Sequence, residues 1–184
     1  EKVEPDTTCF AFVGDSTFFA SAITGVVNAV YNQANMVLVV LDNSTTAMTG
    51  HQPHPGTGRT VMGEIVQKIN IEQVLRGIGV TEIETINPLE LEASVSCVKR
   101  MAEKSGVRAI IFKAPCIAVT KPKAPLHVDQ DSCIGCKKCI RDLGCPAIVM
   151  NDGKICIDAS MCTGCRLCSQ VCPVCAIAGG DDHE

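Results

Sequence analysis

The chain has 184 residues, of which sixteen are basic and twenty acidic, so its formal net charge is −4 at pH 7. Aromatic residues make up only 3% of it and no basic stripe is present, so nucleic acid is not expected as a partner. The longest apolar run, residues 36–41, is too short to span a membrane. A chain of this length can hold a core of about 120 residues and a module of about 55.

The first part of the chain predicts a strand, a helix and a second strand. Residues 9–13 form a short apolar run that ends at a Gly-Asp-Ser turn, which is typical of a buried strand. Residues 17–32 have helical length, small side chains and an apolar face, and Ser16 is predicted as the N-cap. The apolar run 36–41 predicts the second buried strand.

A long loop rich in proline and glycine, residues 44–58, comes next, and loops of this length are usually functional or disordered. Residues 60–78 are predicted as a helix in two pieces that is broken near Asn70. Three further elements are predicted: a strand at 82–86, a helix at 88–104 and a strand at 107–113. Alternating buried strands and helices predict an α/β domain with a parallel, doubly wound sheet in residues 1–119.

The last third of the chain, residues 127–184, carries eight cysteines in two runs, and residues 120–126 are predicted as the linker before it. The first run is Cys133, Cys136, Cys139 and Cys145, and the second is Cys162, Cys165, Cys168 and Cys172. Three thiolates at every third position wrap one corner of a 4Fe–4S cluster, and the cysteine of a following Cys-Pro binds the other cluster. Cys172 is therefore predicted to complete the first cluster and Cys145 the second, in a small α+β module of the bacterial-ferredoxin type.

Structural zinc and disulfides are the alternatives for these cysteines. Zinc favours two separated C-x2-C pairs and disulfides favour small secreted domains, whereas this chain twice adds a third cysteine and shows no signal peptide. The second run has three residues before its Cys-Pro, as ferredoxins do, but the first has five. Cys145 is therefore the least secure of the eight predicted ligands.

Five cysteines lie outside this pattern. Cys9, Cys97 and Cys116 are predicted to be buried thiols that behave as small apolar side chains. The sequence assigns no role to Cys156. Cys175 is predicted to pack against a cluster, with a role as a spare ligand as the alternative.

The cysteine content also bears on the compartment. Thirteen cysteines without an export signal favour a reducing cytoplasm. Because residue 1 is Glu rather than Met, the chain is expected to be a fragment or a processed segment, and its acidic residues 181–184 are expected to form a frayed end.

Polar residues follow the first two predicted strands. In a right-handed strand–helix–strand unit the carboxyl ends of both strands lie side by side, and ligands bind at that edge of open α/β sheets. Asp15 and Asn43 carry hard oxygen ligands that suit Mg²⁺. Gly14 would allow close backbone approach, and the N–H groups of Ser16 and Thr17 would favour a diphosphate. The alternative is that Gly-Asp-Ser and Asp-Asn-Ser are ordinary turns.

The spacing of these residues resembles the thiamine-diphosphate motif, in which Gly-Asp-Gly or Gly-Asp-Ser is followed, after a gap of similar length, by Asn. Here 26 residues separate Ser16 from Asn43. The continuation DNSTTAMTGHQPHPG, residues 42–56, closely resembles the α subunit of indolepyruvate:ferredoxin oxidoreductase. In that family this domain leads directly into a two-cluster ferredoxin module, and the resemblance covers residues 9–180.

The resemblance implies that Mg²⁺ is bound by Asp15, Asn43 and the backbone carbonyl of Thr45, and we expect Met48 and Thr49 to line the cofactor pocket. It implies a coenzyme A-dependent oxidative decarboxylation of an aryl 2-oxo acid to acyl-CoA, CO₂ and reduced ferredoxin, together with a β subunit. A pyruvate or 2-oxoglutarate oxidoreductase is one alternative. A non-catalytic electron-transfer protein of the ferredoxin type on a degenerate scaffold is another.

In this family a Glu from an upstream pyrimidine-binding domain activates the cofactor. That domain is not found in these residues, and the start of the diphosphate-binding domain is also expected to be missing, which would leave its sheet incomplete at the N-terminus. The resemblance therefore implies that this chain alone is catalytically inactive.

Two histidines, His51 and His54, lie in the loop beside the predicted cofactor site. Since histidine titrates near neutral pH, either could contact substrate or cofactor or deliver a proton during catalysis. The alternative is that both are solvated loop histidines.

Overall fold

The computed structural model describes residues 7–179, so the expected frayed end at 181–184 lies outside the described residues. The chain divides into two compact units, and the division falls between Val119 and Thr120. Within the described range, no helix is both long and apolar enough to cross a lipid bilayer. All thirteen cysteines lie in this range and none of them forms a disulfide.

The first unit is built on a sheet of four parallel strands. In chain order they are β1 (Cys9–Gly14), β2 (Met36–Asp42), β3 (Glu82–Ile86) and β4 (Val107–Lys113). The order in the sheet is β1-β2-β4-β3. The register places Gly14 opposite Leu41, so β1 and β2 end at the same level. The residues that follow these two strands therefore lie close together at the carboxyl edge.

Helices connect the strands. The segment after β1 is helical throughout and consists of α1 (Asp15–Thr17), a π-helical turn (Phe18–Ala22) and α2 (Ile23–Tyr31). Helix α3 (Ile71–Ile78) precedes β3, and α4 (Leu91–Glu103) lies between β3 and β4. Two short 3-10 turns occupy Ala47–Thr49 and Ile117–Val119.

Apolar side chains pack on both faces of the sheet. On one face, residues of the helical segments before β2 and β3 pack against alternate strand residues, including Phe18, Leu75, Leu38, Val40 and Ile111. On the other face, α4 packs through Cys97 and Met101 against Val37, Val39 and Ile110. Because neighbouring residues of a strand point to opposite faces, an uninterrupted apolar run serves both cores. The predicted parallel, doubly wound α/β fold is confirmed.

The prediction of a helix at the start of residues 60–78 was wrong. Residues 60–70 contain no helix, because Arg59 pairs with Ile65 in an isolated bridge and Gly63 turns the chain with a φ of +91°. Helix α3 begins only after Asn70, whose side chain accepts the N–H of Gln73 at 3.1 Å. The apolar residues that suggested helical periodicity therefore belong to a small hairpin.

Of the three thiols predicted to be buried, only Cys97 is fully buried. Burial, and then the neighbouring Glu84 carboxylate, raise the pKa of Cys97 to about 11. Cys9 and Cys116 are half-buried, so the prediction was wrong for them. Cys9 begins β1, which stands at the edge of the sheet, and Cys116 lies beyond the end of β4.

The second unit repeats one pattern at an offset of 29 residues. Its elements are β5 (Leu126–Val128), α5 (Lys138–Leu143), β6 (Ile148–Asn151), β7 (Lys154–Ile157), α6 (Leu167–Val171) and β8 (Ile177–Gly179). Strand β5 pairs antiparallel with β8, and β6 pairs antiparallel with β7, so each pair takes one strand from each half. The predicted small α+β module is confirmed. Leu126, predicted as the last linker residue, is instead the buried first residue of β5.

Candidate functional site

Asp15 directly follows β1 and is buried, with 2% of its surface exposed. Its Oδ1 accepts the N–H of Ser16 at 2.8 Å, and its Oδ2 accepts the N–H of Ser44 at 2.8 Å. Burial raises the pKa of Asp15, although the Ser16 N–H and His54 oppose this shift. A carboxylate held out of water with so little positive charge around it is suited to a cation.

The start of the helix differs from the prediction. Gly14, rather than Ser16, occupies the N-cap position, and no side chain caps the helix there. The Asp15 carboxylate already takes the Ser16 N–H. The hydroxyl of Ser16 instead accepts a hydrogen bond from the Thr46 hydroxyl at 3.0 Å, which links the helix to the loop after β2.

The loop after β2 folds back towards Asp15. Ser44 adopts a left-handed backbone conformation with a φ of +61°, and its N–H is shared between Asp15 Oδ2 and Asp42 Oδ1, the latter at 3.0 Å. The side-chain oxygen of Asn43 accepts the N–H of Thr45 at 3.1 Å, and Thr45 is buried. Ser44 was not among the predicted site residues, and its signal in the sequence is its place in an Asp-Asn-Ser turn.

Gly14 borders open space at this edge. Its φ of −74° lies in the extended region that any residue adopts, and a Cβ added there would meet no atom within 4 Å. Neither backbone conformation nor internal packing therefore requires a glycine at this position. The backbone at Gly14 is therefore open to the approach of another group.

His54 is the buried histidine of the following loop. Its Nε2 lies 3.1 Å from Asp15 Oδ2, and its Nδ1 accepts the N–H of Gly56 at 3.2 Å. The ring of Phe19 lies beside it, with 5.8 Å between the ring centroids. His54 is therefore not a solvated loop histidine, unlike His51, which is exposed and has a φ of +62°.

The structure gathers only part of the predicted site. Five predicted residues lie at the carboxyl edge formed by β1 and β2, namely Gly14, Asp15, Ser16, Asn43 and Thr45. Thr17 and Thr49 are exposed, and the Met48 side chain is 101% exposed. The roles of Met48 and Thr49 in a cofactor pocket stay predictions.

The donors at the carboxyl edge fit Mg²⁺ in their chemistry. They are a buried carboxylate, an amide oxygen and a backbone carbonyl, and Mg²⁺ binds oxygen ligands of these kinds. Within residues 7–179, no three His, Cys, Asp or Glu side chains are arranged to bind one single metal ion. Mg²⁺ at this edge would therefore need backbone and phosphate oxygens as well, and it accepts both.

The first group of cysteines surrounds a cavity in the second unit. Cys133, Cys136, Cys139 and Cys172 all line it, together with apolar side chains such as Ile155 and Ile177. Burial, and then the nearby thiols of Cys136 and Cys172, raise the pKa of Cys139. The structure thus places Cys172, the last cysteine of the second run, beside the first three cysteines of the first run.

The second group shows the reciprocal arrangement. Burial, and then the thiols of Cys165, Cys145 and Cys162, raise the pKa of Cys168 to about 11. Cys145 therefore lies with the second run despite its longer spacing.

Backbone N–H groups point at two of these sulfur atoms. The N–H of Ala176 donates to Cys172 Sγ at 3.3 Å, and that of Leu126 donates to Cys162 Sγ at 3.5 Å. Hydrogen bonds of this kind tune the potential of iron–sulfur clusters. Because a cubane gives each cysteine its own iron, four thiols around a cavity fit a cluster better than a single ion.

The fold and the site define a class of protein in which an α/β domain with a polar carboxyl edge is followed by a module with two groups of cysteines. Residues 1–112 match the family described as thiamine pyrophosphate enzyme, C-terminal TPP binding domain. That match covers more than half of the chain, and the chain belongs to this family.

Curated relatives named indolepyruvate oxidoreductase subunit IorA are similar over nearly the whole chain. Those of Methanothermobacter thermautotrophicus, Archaeoglobus fulgidus and Thermococcus kodakarensis are 46%, 40% and 40% identical over 91%, 91% and 89% of this chain. The matches cover 27%, 28% and 27% of those proteins, so the chain spans little more than a quarter of their length. The resemblance to the C-terminal part of the indolepyruvate oxidoreductase α subunit is confirmed.

Proposed function

We propose that this chain forms the C-terminal part of the α subunit of a 2-oxoacid:ferredoxin oxidoreductase of the indolepyruvate type. The observation that carries this proposal is the buried Asp15 carboxylate at the carboxyl edge, in one chain with two crossed groups of four cysteines. An enzyme that removes electrons from its substrate one at a time needs such an outlet for them. The thirteen cysteines of residues 7–179, none of them in a disulfide, favour a reducing compartment such as the cytoplasm.

The carboxyl edge would hold Mg²⁺ and the diphosphate of thiamine diphosphate. Asp15, the Asn43 side chain and the Thr45 carbonyl would bind the metal, and the open space beside Gly14 would admit the diphosphate. The Thr17 N–H and the positive end of the helix after β1 would favour its negative charge, since the Ser16 N–H already bonds Asp15. When bound, thiamine diphosphate supplies the nucleophilic carbon for decarboxylation of a 2-oxo acid.

The cysteine module would carry electrons away. Cys133, Cys136, Cys139 and Cys172 would hold one 4Fe–4S cluster, and Cys162, Cys165, Cys168 and Cys145 would hold the other. When bound, these clusters supply one-electron acceptors between the substrate and ferredoxin. The apolar residues around the first group, such as Ile155, would exclude water and so disfavour added negative charge, which lowers the reduction potential.

The complete reaction joins these two parts. A 2-oxo acid loses CO₂, its acyl group passes to coenzyme A, and the two electrons released pass singly to ferredoxin. The β subunit and the pyrimidine-binding domain with its activating Glu would complete the cofactor site. We propose an aryl 2-oxo acid such as indolepyruvate as the substrate, on the strength of the IorA relatives and the His-Gln-Pro-His-Pro loop.

Turnover of the intact complex tests this proposal. Purified anaerobically with verified clusters and thiamine, the complex should reduce viologen in the presence of coenzyme A and indolepyruvate, and more slowly with pyruvate or 2-oxoglutarate. This chain alone should show no such turnover. Preference for another acid would retain the chemistry and replace the substrate. Absence of reduction with all three acids would favour the non-catalytic electron-transfer protein.

Replacing Gly14 with alanine tests the open space beside the backbone. The change should not destabilise the cofactor-free subunit, because φ is ordinary, a Cβ meets no protein atom and alanine lowers the entropy of the unfolded chain. It should weaken thiamine diphosphate binding by about tenfold, or roughly 1.4 kcal/mol, because the methyl group would occupy the ligand's place. Equilibrium dialysis against labelled cofactor measures this effect. Unchanged affinity in the alanine variant would show that no ligand uses this space.

A further inference from the structure

The imidazole of His54 is held in one orientation by groups on three sides. Its side chain is 4% exposed, its Nε2 faces Asp15 and its Nδ1 faces the N–H of Gly56. A Cβ on Gly56 would lie 3.0 Å from both the His54 ring and the Phe19 ring. The glycine therefore allows the backbone to close over the imidazole, and Phe19 supports it from the helix after β1.

These contacts define the tautomer. The Gly56 N–H can only donate, so Nδ1 must accept and carries no proton. A neutral imidazole has one N–H, and His54 therefore has its proton on Nε2, where it donates to Asp15 Oδ2 at 3.1 Å. With both nitrogens engaged, His54 has no free position from which to deliver a proton to a substrate.

The hydrogen bonds also distinguish the two oxygens of Asp15. Oδ2 accepts two donors, the Ser44 N–H and the His54 Nε2–H, which occupy its two lone pairs. Oδ1 accepts only the Ser16 N–H and keeps one lone pair free. The carboxylate is thus oriented with a single oxygen available to a further ligand.

We infer that His54 is a positioning residue that presents Asp15 Oδ1 to Mg²⁺ as a monodentate ligand. This inference rests on the proposed function and assigns His54 a role different from the proton donor or substrate contact expected from the sequence. It follows a general pattern in which a carboxylate that binds a metal is itself oriented by hydrogen bonds, and loss of such a partner costs about 10–100-fold in metal affinity.

Two substitutions of similar polarity distinguish the role of Nδ1 from that of Nε2. His54→Asn keeps a polar group near the Gly56 N–H but is too short to reach Asp15. His54→Gln reaches further and can place an amide N–H where Nε2–H stood. Thr57→Val is the matched control, because the Thr57 hydroxyl holds the backbone of His54 rather than its imidazole. It accepts the His54 N–H at 3.3 Å and donates to the His54 carbonyl at 2.8 Å.

The measurement is the Mg²⁺ concentration needed for thiamine diphosphate binding by the intact oxidoreductase, followed by equilibrium dialysis. The electron paramagnetic resonance spectrum of Mn²⁺ in place of Mg²⁺ provides a second readout. His54→Asn should raise the required Mg²⁺ concentration about 10–100-fold and broaden the Mn²⁺ spectrum, whereas His54→Gln and Thr57→Val should remain close to wild type. At saturating Mg²⁺ the kcat of His54→Asn should recover.

Three results would overturn the inference. The first is a His54→Asn variant that binds Mg²⁺ like the wild type. The second is a Gln variant or a Thr57→Val variant as weak as the Asn variant, which would indicate a general effect on the loop. The third is a kcat that stays low at saturating Mg²⁺, which would indicate direct catalysis. Failure of the proposed function is distinct, because the wild type itself would then show no Mg²⁺-dependent cofactor binding.

Discussion

Asp15→Asn is expected to abolish Mg²⁺-dependent binding of thiamine diphosphate by the intact subunit. The substitution removes the buried carboxylate of the carboxyl edge while preserving the size of the side chain and an oxygen that can accept a hydrogen bond. Loss of a charged metal ligand should weaken cofactor binding at a given Mg²⁺ concentration by at least about 100-fold, which corresponds to roughly 2.7 kcal/mol. Isothermal titration with the cofactor measures this loss.

The folded state should tolerate the substitution. Burial raises the pKa of Asp15, which means that the ionised carboxylate is disfavoured in the cofactor-free protein, and a neutral amide avoids that cost. The amide N–H₂ of Asn must, however, face a backbone N–H that a carboxylate oxygen now accepts, either that of Ser16 or that of Ser44, and this offsets the gain. The melting temperature without cofactor should therefore change little, and its rise on addition of Mg²⁺ and thiamine diphosphate should disappear. Glu103→Gln, an exposed acid of α4, is the control and should keep that rise. A variant at Asp15 that still binds the cofactor with Mg²⁺ would contradict the assignment of the metal site.

The sheet could be predicted from the sequence because its strands are apolar runs with polar or glycine residues at both ends. The limits of β1 and β2 were each predicted within one residue, and those of β3 and β4 were predicted in full. The hairpin after Gly58 could not be predicted in this way. Val61, Met62 and Ile65 are strongly exposed, so their apolar side chains belong to no core of this unit and do not mark the buried face of a helix.

For the carboxyl edge, the sequence was sufficient to predict which strand ends lie side by side. Parallel neighbours with a common register bring Asp15 and the Asn43 turn together whatever the loop does. The contact between His54 and Asp15 was not predictable, because it spans 39 residues through a loop without periodicity. The one local signal was Gly56 next to the histidine segment, since only a residue without a side chain fits against both rings.

The second unit was predictable because its halves constrain each other. The first cysteines of the two runs are 29 residues apart, and so are the starts of β6 and β8. Both of these strands begin 15 residues after the first cysteine of their run. The two extra residues before Cys145 are therefore balanced by two fewer after it, so the longer spacing moves Cys145 along its loop without changing the strands around it.

Cys145→Ala is expected to remove one of two 4Fe–4S clusters from the intact subunit. Cys145 stands among the thiols of the second run, close enough to Cys168 to contribute to raising its pKa, and three cysteines alone leave one iron without a thiolate. Iron content should fall from about eight to about four per chain, and one of two reduced-cluster resonance signals should disappear. The controls are Cys156→Ala and Cys175→Ala, which should retain about eight iron atoms because both thiols lie outside the two groups. If Cys145→Ala kept both clusters and Cys156→Ala or Cys175→Ala lost one, the eighth ligand would be that other cysteine, and the crossed arrangement of the two runs would hold for Cys172 alone.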